Sequence, residues 1–180
     1  SMINWTNYTS PLGNITLASK DNALIGLWLE NQKYTFSNYQ DTIIENPNDS
    51  VLVQTKKWLD LYFDGKNPNV NQLKLAPMGS LFRQKVWQLL LQIPYGAVVT
   101  YNDLAKNIAK QMGLTKMSAQ AIGNAVGHNP ISIIIPCHRV VGSNGSLTGY
   151  AGGIDKKLQL LKHEQVDMRH LFVPKKGTAL

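Results

Sequence analysis

The segment Ile131-Ser132-Ile133-Ile134-Ile135-Pro136-Cys137-His138-Arg139-Val140-Val141 holds the single cysteine of the chain, followed directly by a histidine and an arginine. A thiol reacts as its thiolate, and a neighbouring base or cation raises the thiolate fraction. His138 can take the thiol proton directly or through one water. A carboxylate would then fix the imidazole tautomer and steady its charge, and Glu164, in Leu161-Lys162-His163-Glu164, is available for that. A lone buried cysteine is more often inert packing, but the Pro-Cys-His-Arg context after an apolar run points to a nucleophile. One cysteine also excludes an intramolecular disulfide and a multi-cysteine zinc cage.

These residues need elements to position them. The β-branched run Ile133–Ile135 predicts a buried, extended stretch that Pro136 ends, presenting Cys137 at the tip of a rigid element. Upstream, Ser80 precedes a helix with Phe82, Val86, Leu89, Leu90 and Ile93 along one stripe, stopped by Pro94-Tyr95-Gly96. Thr100-Tyr101-Asn102-Asp103 has the form of a capping box. The helix after it turns Leu104, Ile108 and Met112 inward and ends at Gly113. Ser118 is the N-cap expected for a helix over 119–128, stopped by Asn129-Pro130. Two short helices joined by a turn fit a helix-turn-helix. The second alternates Ala119, Ala121, Gly123, Ala125 and Gly127, a small-residue surface suited to tight packing or to entry into a narrow DNA groove.

The first half reads differently. Residues 14–17 and 23–29 are apolar stretches around the turn Lys20-Asp21-Asn22, which predicts a hairpin. Residues 31–49 are mostly polar and expected to be irregular strands or loops. Ser50 is the expected cap of a helix over about 51–64, with Leu52, Leu59 and Phe63 near one face and Gly65 as its stop. Residues 66–75 read as a linker, and the boundary falls near Pro77-Met78-Gly79. Two domains are therefore expected, residues 1–79 and 80–180.

Charge separates the same halves. The 180 residues carry 18 basic and 11 acidic side chains, a net of +7. Residues 80–180 have twelve basic and four acidic side chains against six and seven in residues 1–79. A near-neutral half joined to a strongly basic one suggests that the second half meets a polyanion. With 43% hydrophobic and 16% charged residues, the composition is that of a folded protein. No apolar run approaches the roughly 18 residues of a membrane span, and the start lacks the layout of a secretory signal. A cytoplasmic, reducing setting is expected.

The segment Ile135-Pro136-Cys137-His138-Arg139-Val140-Val141 resembles the active-site signature of the O6-alkylguanine-DNA alkyltransferases, or methylated-DNA–protein-cysteine methyltransferases. The resemblance extends in order through residues 82–87, 93–96, 100–105, 121–126, 128–130 and 149–153, and is strong over about 80–167. It implies an α/β N-terminal domain with a ribonuclease-H-like sheet plus helix, then a mainly α winged-helix-like DNA-binding domain. It implies direct, irreversible transfer of the alkyl group from O6-alkylguanine in duplex DNA to Cys137, once per molecule, with the lesion flipped out through the minor groove.

Carried over residue by residue, the resemblance implies that Cys137 is the nucleophile, His138 the base acting through water, and Glu164 the partner of His138. Tyr101 would donate its hydroxyl to the base and crowd the phosphate that must rotate. Gln120, Ala121, Ala125 and Asn129 would meet DNA, with Asn129 also tying the recognition-helix turn to the active-site segment; Lys116, which is no family match, is added to the DNA contacts for its charge. Tyr150, Ala151, Val140 and Asn129 would line the pocket. Arg139 is expected to anchor the two domains through an ion pair. No cofactor and no metal are expected, and the partner is double-stranded DNA containing O6-alkylguanine, met by a monomer and without a membrane.

Two departures stand out. Gln120 occupies the position where the family usually carries an arginine that enters the vacated base stack, and Lys116 is the nearby cation that could compensate. The loop 111–117 is several residues longer than usual. Two other function classes compete. A non-catalytic lesion sensor of the alkyltransferase-like type shares the DNA-binding half, but such sensors replace the cysteine. A cysteine hydrolase usually brings its histidine from elsewhere in the chain and needs no basic helix-turn-helix.

Overall fold

The computed structural model describes residues 2–32, 35–36 and 39–175. The chain divides into two compact units, Ser1–Met78 with Pro130–Ile134, and Gly79–Asn129 with Ile135–Leu180.

In the first unit, β1 (Met2–Ser10), β2 (Gly13–Lys20) and β3 (Ala23–Leu29) form an antiparallel meander, and β4 (Thr42–Glu45) pairs parallel to β1. The sheet order is β3-β2-β1-β4. The β2–β3 hairpin turns through Asp21 and Asn22, both with positive φ, a conformation that Asn and Asp tolerate because their short side chains bond locally. β3 is buried along its whole length. Helix α1 (Ser50–Phe63) packs on the sheet through Leu52, Thr55, Trp58, Leu59 and Tyr62.

The cap of α1 is Asp49 rather than Ser50. Its carboxylate accepts from Leu52 N–H at 3.2 Å and from the Ser19 hydroxyl at 2.8 Å, so one side chain both caps the helix and grips β2. β1 was not foreseen, because Asn4 and Asn7 interrupt its apolar alternation. Among residues 31–49, described except for 33–34 and 37–38, only β4 is a strand; its side chains are exposed.

The second unit contains α2 (Leu81–Leu90), β5 (Val99–Thr100), α3 (Tyr101–Gln111), α4 (Ala119–Gly127), β6 (Val140–Val141) and α5 (Ile154–His163). The Ser80, Thr100 and Ser118 side chains cap α2, α3 and α4, and Thr100 with Asp103 forms the reciprocal capping box. Gly113, at φ +68, ends α3 beyond Met112, which is 42% exposed rather than turned inward. Helix α4 packs against α2 and α3, and Trp87 Nε1 donates to Ala125 O at 2.8 Å.

The run Ile133–Ile135 is buried but not extended. Pro130 O accepts from Leu27 N–H, and Ser132 N–H donates to Leu27 O, which lays this segment beside β3 within the first unit. The chain then reverses. Ile133 adopts φ +71, and Ile134 N–H donates to Ser132 O at 2.8 Å, the hydrogen bond of a γ-turn in its strained form. A β-branched residue there is a genuine outlier, costing on the order of 1–3 kcal/mol. The pairing with β3 overrides the extended preference of the isoleucines.

Candidate active site

Cys137 opens a 3-10 turn, Cys137–Arg139, that leads directly into β6. Pro136 before it sits at φ −82, ψ 65, and Cys137 N–H donates to Ile135 O at 2.8 Å, an inverse γ-turn that the proline ring favours. Asn129 Nδ2 donates to the same Ile135 carbonyl at 2.7 Å, so the end of α4 grips the peptide two residues before the cysteine. β5 and β6 pair parallel, Val99 with Val140 and Thr100 with Val141. β5 runs directly into α3, and Tyr101, the first residue of α3, lies close enough to Cys137 to feel its charge. The thiol is 5% exposed.

A buried charge network lies behind the turn. Glu164, at the end of α5, accepts from His138 Nε2 at 2.6 Å, Arg139 Nε at 2.8 Å, Arg139 Nη2 at 3.1 Å and Gly96 N–H at 3.2 Å. Arg139 Nη1 donates to Ile93 O at 2.8 Å, and the guanidinium lies over the Tyr95 ring. The partners of Arg139 all belong to the second unit, so its ion pair braces the site from within rather than anchoring the two domains. Burial pushes the Glu164 carboxyl up, but hydrogen bonds and charges from His138 and Arg139 outweigh it and hold it below the ordinary range.

An ionised Glu164 can only accept, so Nε2 of His138 carries a hydrogen. Burial holds the His138 pKa below its ordinary value despite the opposing pull of Glu164, so the ring is neutral near pH 7 and Nδ1 carries the free lone pair. Nδ1 is buried with no hydrogen-bond partner among the described residues.

Sequence reasoning missed Lys157. This lysine is fully buried, and its ammonium donates to Val140 O at 2.5 Å and Thr148 O at 2.8 Å. Burial pulls its pKa down from 10.5 to about 8, and a thiolate at Cys137 opposes that fall. The attraction is mutual, so the ammonium favours the thiolate over the thiol. Tyr101 joins the same cluster: its hydroxyl donates to Thr148 O at 3.2 Å, and its ring lies 5.9 Å from Lys157 Nζ. Burial, with the Cys137 charge, raises the Tyr101 pKa, so it remains a neutral donor. The signal for Lys157 was its place on α5: residues 157, 160, 161 and 164 have the i, i+3, i+4, i+7 spacing of an inward face. A lysine and a glutamate on an apolar stripe mark a buried polar role.

The structure thus groups Cys137, His138, Glu164, Tyr101 and Val140, with Asn129 bracing the turn. Tyr150 is buried and Ala151 half-buried in the loop that leads to α5. Gln120 is exposed in the first turn of α4, Ala121 is half-buried beside it, and Lys116 is exposed in the preceding loop. Ala125 is a correction: at 1% exposure, with its carbonyl bound by Trp87, it packs inward and offers no surface to DNA. Asn124 is exposed on this helix instead, accepting from Arg83 Nη2 at 3.1 Å.

Comparison with known proteins agrees with this architecture. Residues 3–77 match the family described as 6-O-methylguanine DNA methyltransferase, ribonuclease-like domain, and residues 81–166 match 6-O-methylguanine DNA methyltransferase, DNA binding domain. The methylated-DNA–protein-cysteine methyltransferase of Methanosarcina barkeri is 41% identical, over 89% of this chain and 96% of its own. That of Mycolicibacterium paratuberculosis is 39% identical over 91% and 93%. The crystal structure of the Mycobacterium tuberculosis O6-methylguanine methyltransferase superposes with a TM-score of 0.75 at 38% identity, covering 91% of this chain and 93% of that one. The Mycobacterium tuberculosis enzyme in complex with DNA gives 0.74 at 34%, over 92% and 93%. A sheet-plus-helix unit followed by a helical unit that carries the cysteine, and relatives of this identity over nine-tenths of the chain, make the protein a member of the 6-O-methylguanine DNA methyltransferase family.

Proposed function

We propose that the protein repairs alkylated duplex DNA by moving the alkyl group from O6 of guanine to Cys137, irreversibly and once per molecule. The observation that carries this reading is one thiol set near a buried lysine that favours its thiolate, and followed in the chain by a histidine held in a glutamate–arginine network. The thiol proton passes to His138 Nδ1, directly or through one water. The sulfur attacks the alkyl carbon, the S–C bond forms as the C–O6 bond breaks, and the electron pair moves into the purine, whose N1 takes up, through solvent, the equivalent of the proton that the thiol gave to His138. The product is a thioether that water does not cleave, so the site is spent.

Tyr101 stabilises the leaving base by turning its hydroxyl from Thr148 O to a ring nitrogen. Thr148 O keeps its bond from Lys157 throughout, so the exchange strands no buried carbonyl. Flipping the nucleotide costs a few kcal/mol, least for a lesion that already mispairs. In this reading Gln120 fills the space the guanine leaves, Ala121 lies against the backbone, and Lys116 contacts phosphate. Tyr150, Ala151 and Val140 wall the pocket. Residues 80–180 hold both the DNA contacts and the chemistry, while residues 1–79 form the accessory domain. The protein works as a monomer in a reducing cytoplasm, where its single thiol stays available until it meets the lesion.

Cys137→Ala tests the reading. Transfer from O6-methylguanine duplex should vanish while DNA affinity stays within about twofold. Transfer that survives the substitution would remove Cys137 from its role.

A further inference from the structure

The outer face of α3 carries a charge pattern that the alkyl-transfer site does not use. Lys106 and Lys110 lie four residues apart on this helix, a repulsive spacing for like charges, and both are exposed. Across a groove of about 540 Å³ stands Lys116, on the loop that leads into α4, with Asn102 and Thr115 as neutral hydrogen-bonding groups on the same walls. The two α3 lysines also border a second depression, of about 670 Å³, on their other side. None of the three lysines makes an ion pair or a hydrogen bond among the described residues. The one nearby acid, Asp103, accepts from Thr100 N–H in the capping box. Compensation of the helix dipole accounts for Lys110 in the last turn, but not for Lys106 or Lys116.

We propose that this groove is a phosphate-binding subsite that seats the DNA backbone flanking the lesion, beyond the nucleotides α4 touches. The inference rests on the DNA-repair reading. Charge complementarity selects the occupant: three unpaired ammonium groups line one channel, and Lys116 stands two residues before Ser118, the N-cap of α4. The cationic hold that Gln120 cannot provide is thus supplied from outside the base stack. Phosphate contacts position a protein without reading sequence, so the subsite serves damaged and undamaged duplex alike.

The test compares wild type with K106Q/K110Q on an undamaged 20-base-pair duplex, measuring affinity by fluorescence anisotropy between 50 and 200 mM salt. Each phosphate contact contributes about 0.9 to the slope of log K against log salt, so losing two should flatten it by about 1.8. Across that fourfold salt range, wild-type affinity should therefore fall about tenfold more than that of the variant. Transfer from free O6-methylguanine base, which has no backbone, should match wild type. Equal slopes in a wild-type protein that does bind the duplex would overturn the subsite. So would equal slopes accompanied by lost binding to polyglutamate, which would assign the groove to an acidic protein. A variant that also loses free-base transfer would show that the lysines support the fold, and would overturn it as well. Wild type that binds duplex but never becomes methylated would refute the repair reading instead, leaving the slope comparison to decide the subsite.

Discussion

Replacing Lys157 by methionine should separate reactivity from stability. In the folded protein burial brings the Lys157 pKa from 10.5 to about 8. Below pH 8 the fold therefore holds an ammonium at a cost of roughly 3 kcal/mol. The sign follows from proton counting. Between about pH 8 and 10.5 the unfolded chain keeps a proton that the folded protein has released, so this group makes stability rise with pH across that window and costs most below it. Lys157→Met removes the cost but leaves Val140 O without its ammonium donor, a loss of about 1–3 kcal/mol. Thr148 O keeps the Tyr101 hydroxyl. Gain and loss nearly cancel, so stability at pH 7 should change by less than about 2 kcal/mol. Reactivity has no such compensation. Transfer to the variant should slow at least tenfold, the equivalent of about 1.4 kcal/mol in the barrier. Single-turnover rates on free O6-methylguanine base, taken from pH 6 to 10, read this directly. The rate gap between wild type and variant should be widest near pH 7 and narrow above about pH 8, where the wild-type Lys157 loses its proton and its advantage. A variant with the wild-type rate and profile would refute the role given to this lysine.

Glu164→Gln should be far more damaging to the fold, because it strands the buried Arg139 guanidinium, at a cost of about 3–5 kcal/mol. The folded Glu164 carboxyl lies below its ordinary 4.5, so the wild-type advantage in denaturant melts should be full above that pH and shrink as pH falls through it. Methylation of Cys137 removes the thiolate that opposes the fall in the Lys157 pKa, so the spent protein should melt at lower temperature than the fresh one. That gap should be clear at pH 7 and close by pH 9.5, where Lys157 is neutral in both forms; a pH-independent gap would assign it to packing alone. Gln120→Arg should raise the transfer rate on duplex DNA more than on free alkylguanine base. Equal gains on both would argue against Gln120 as the stack-filling residue.

The parts legible in the sequence are those governed by local chemistry. The Ser80, Thr100 and Ser118 caps follow from side chains that reach back to nearby N–H groups, and the structure has each in place. The parts that resisted depend on distant partners. Asp49 outcompetes Ser50 as a cap because Ser19, thirty residues away, also needs its carboxylate. Ile133 gives up an extended conformation because β3 and the Asn129–Ile135 bond fix both ends of its segment. Ala125 has the small side chain of a groove-facing residue, yet Trp87 claims that face of α4. Arg139 reads as a bridge between halves, but Glu164 and Ile93 satisfy it within one. Lys157 was visible only as a charge on an apolar stripe, a pattern that names a buried residue without naming its partner.

The most direct measurement is intact mass spectrometry after incubation with a duplex containing O6-methylguanine, followed by peptide mapping. One added methyl is expected, on Cys137, with a stoichiometry that stops at one however long the incubation and however large the excess of DNA. Lesion-preferring binding with no added mass would contradict single-use transfer to Cys137 and make the protein a sensor. Continued release of demethylated guanine beyond one equivalent would contradict it too, because the thioether would then be turning over.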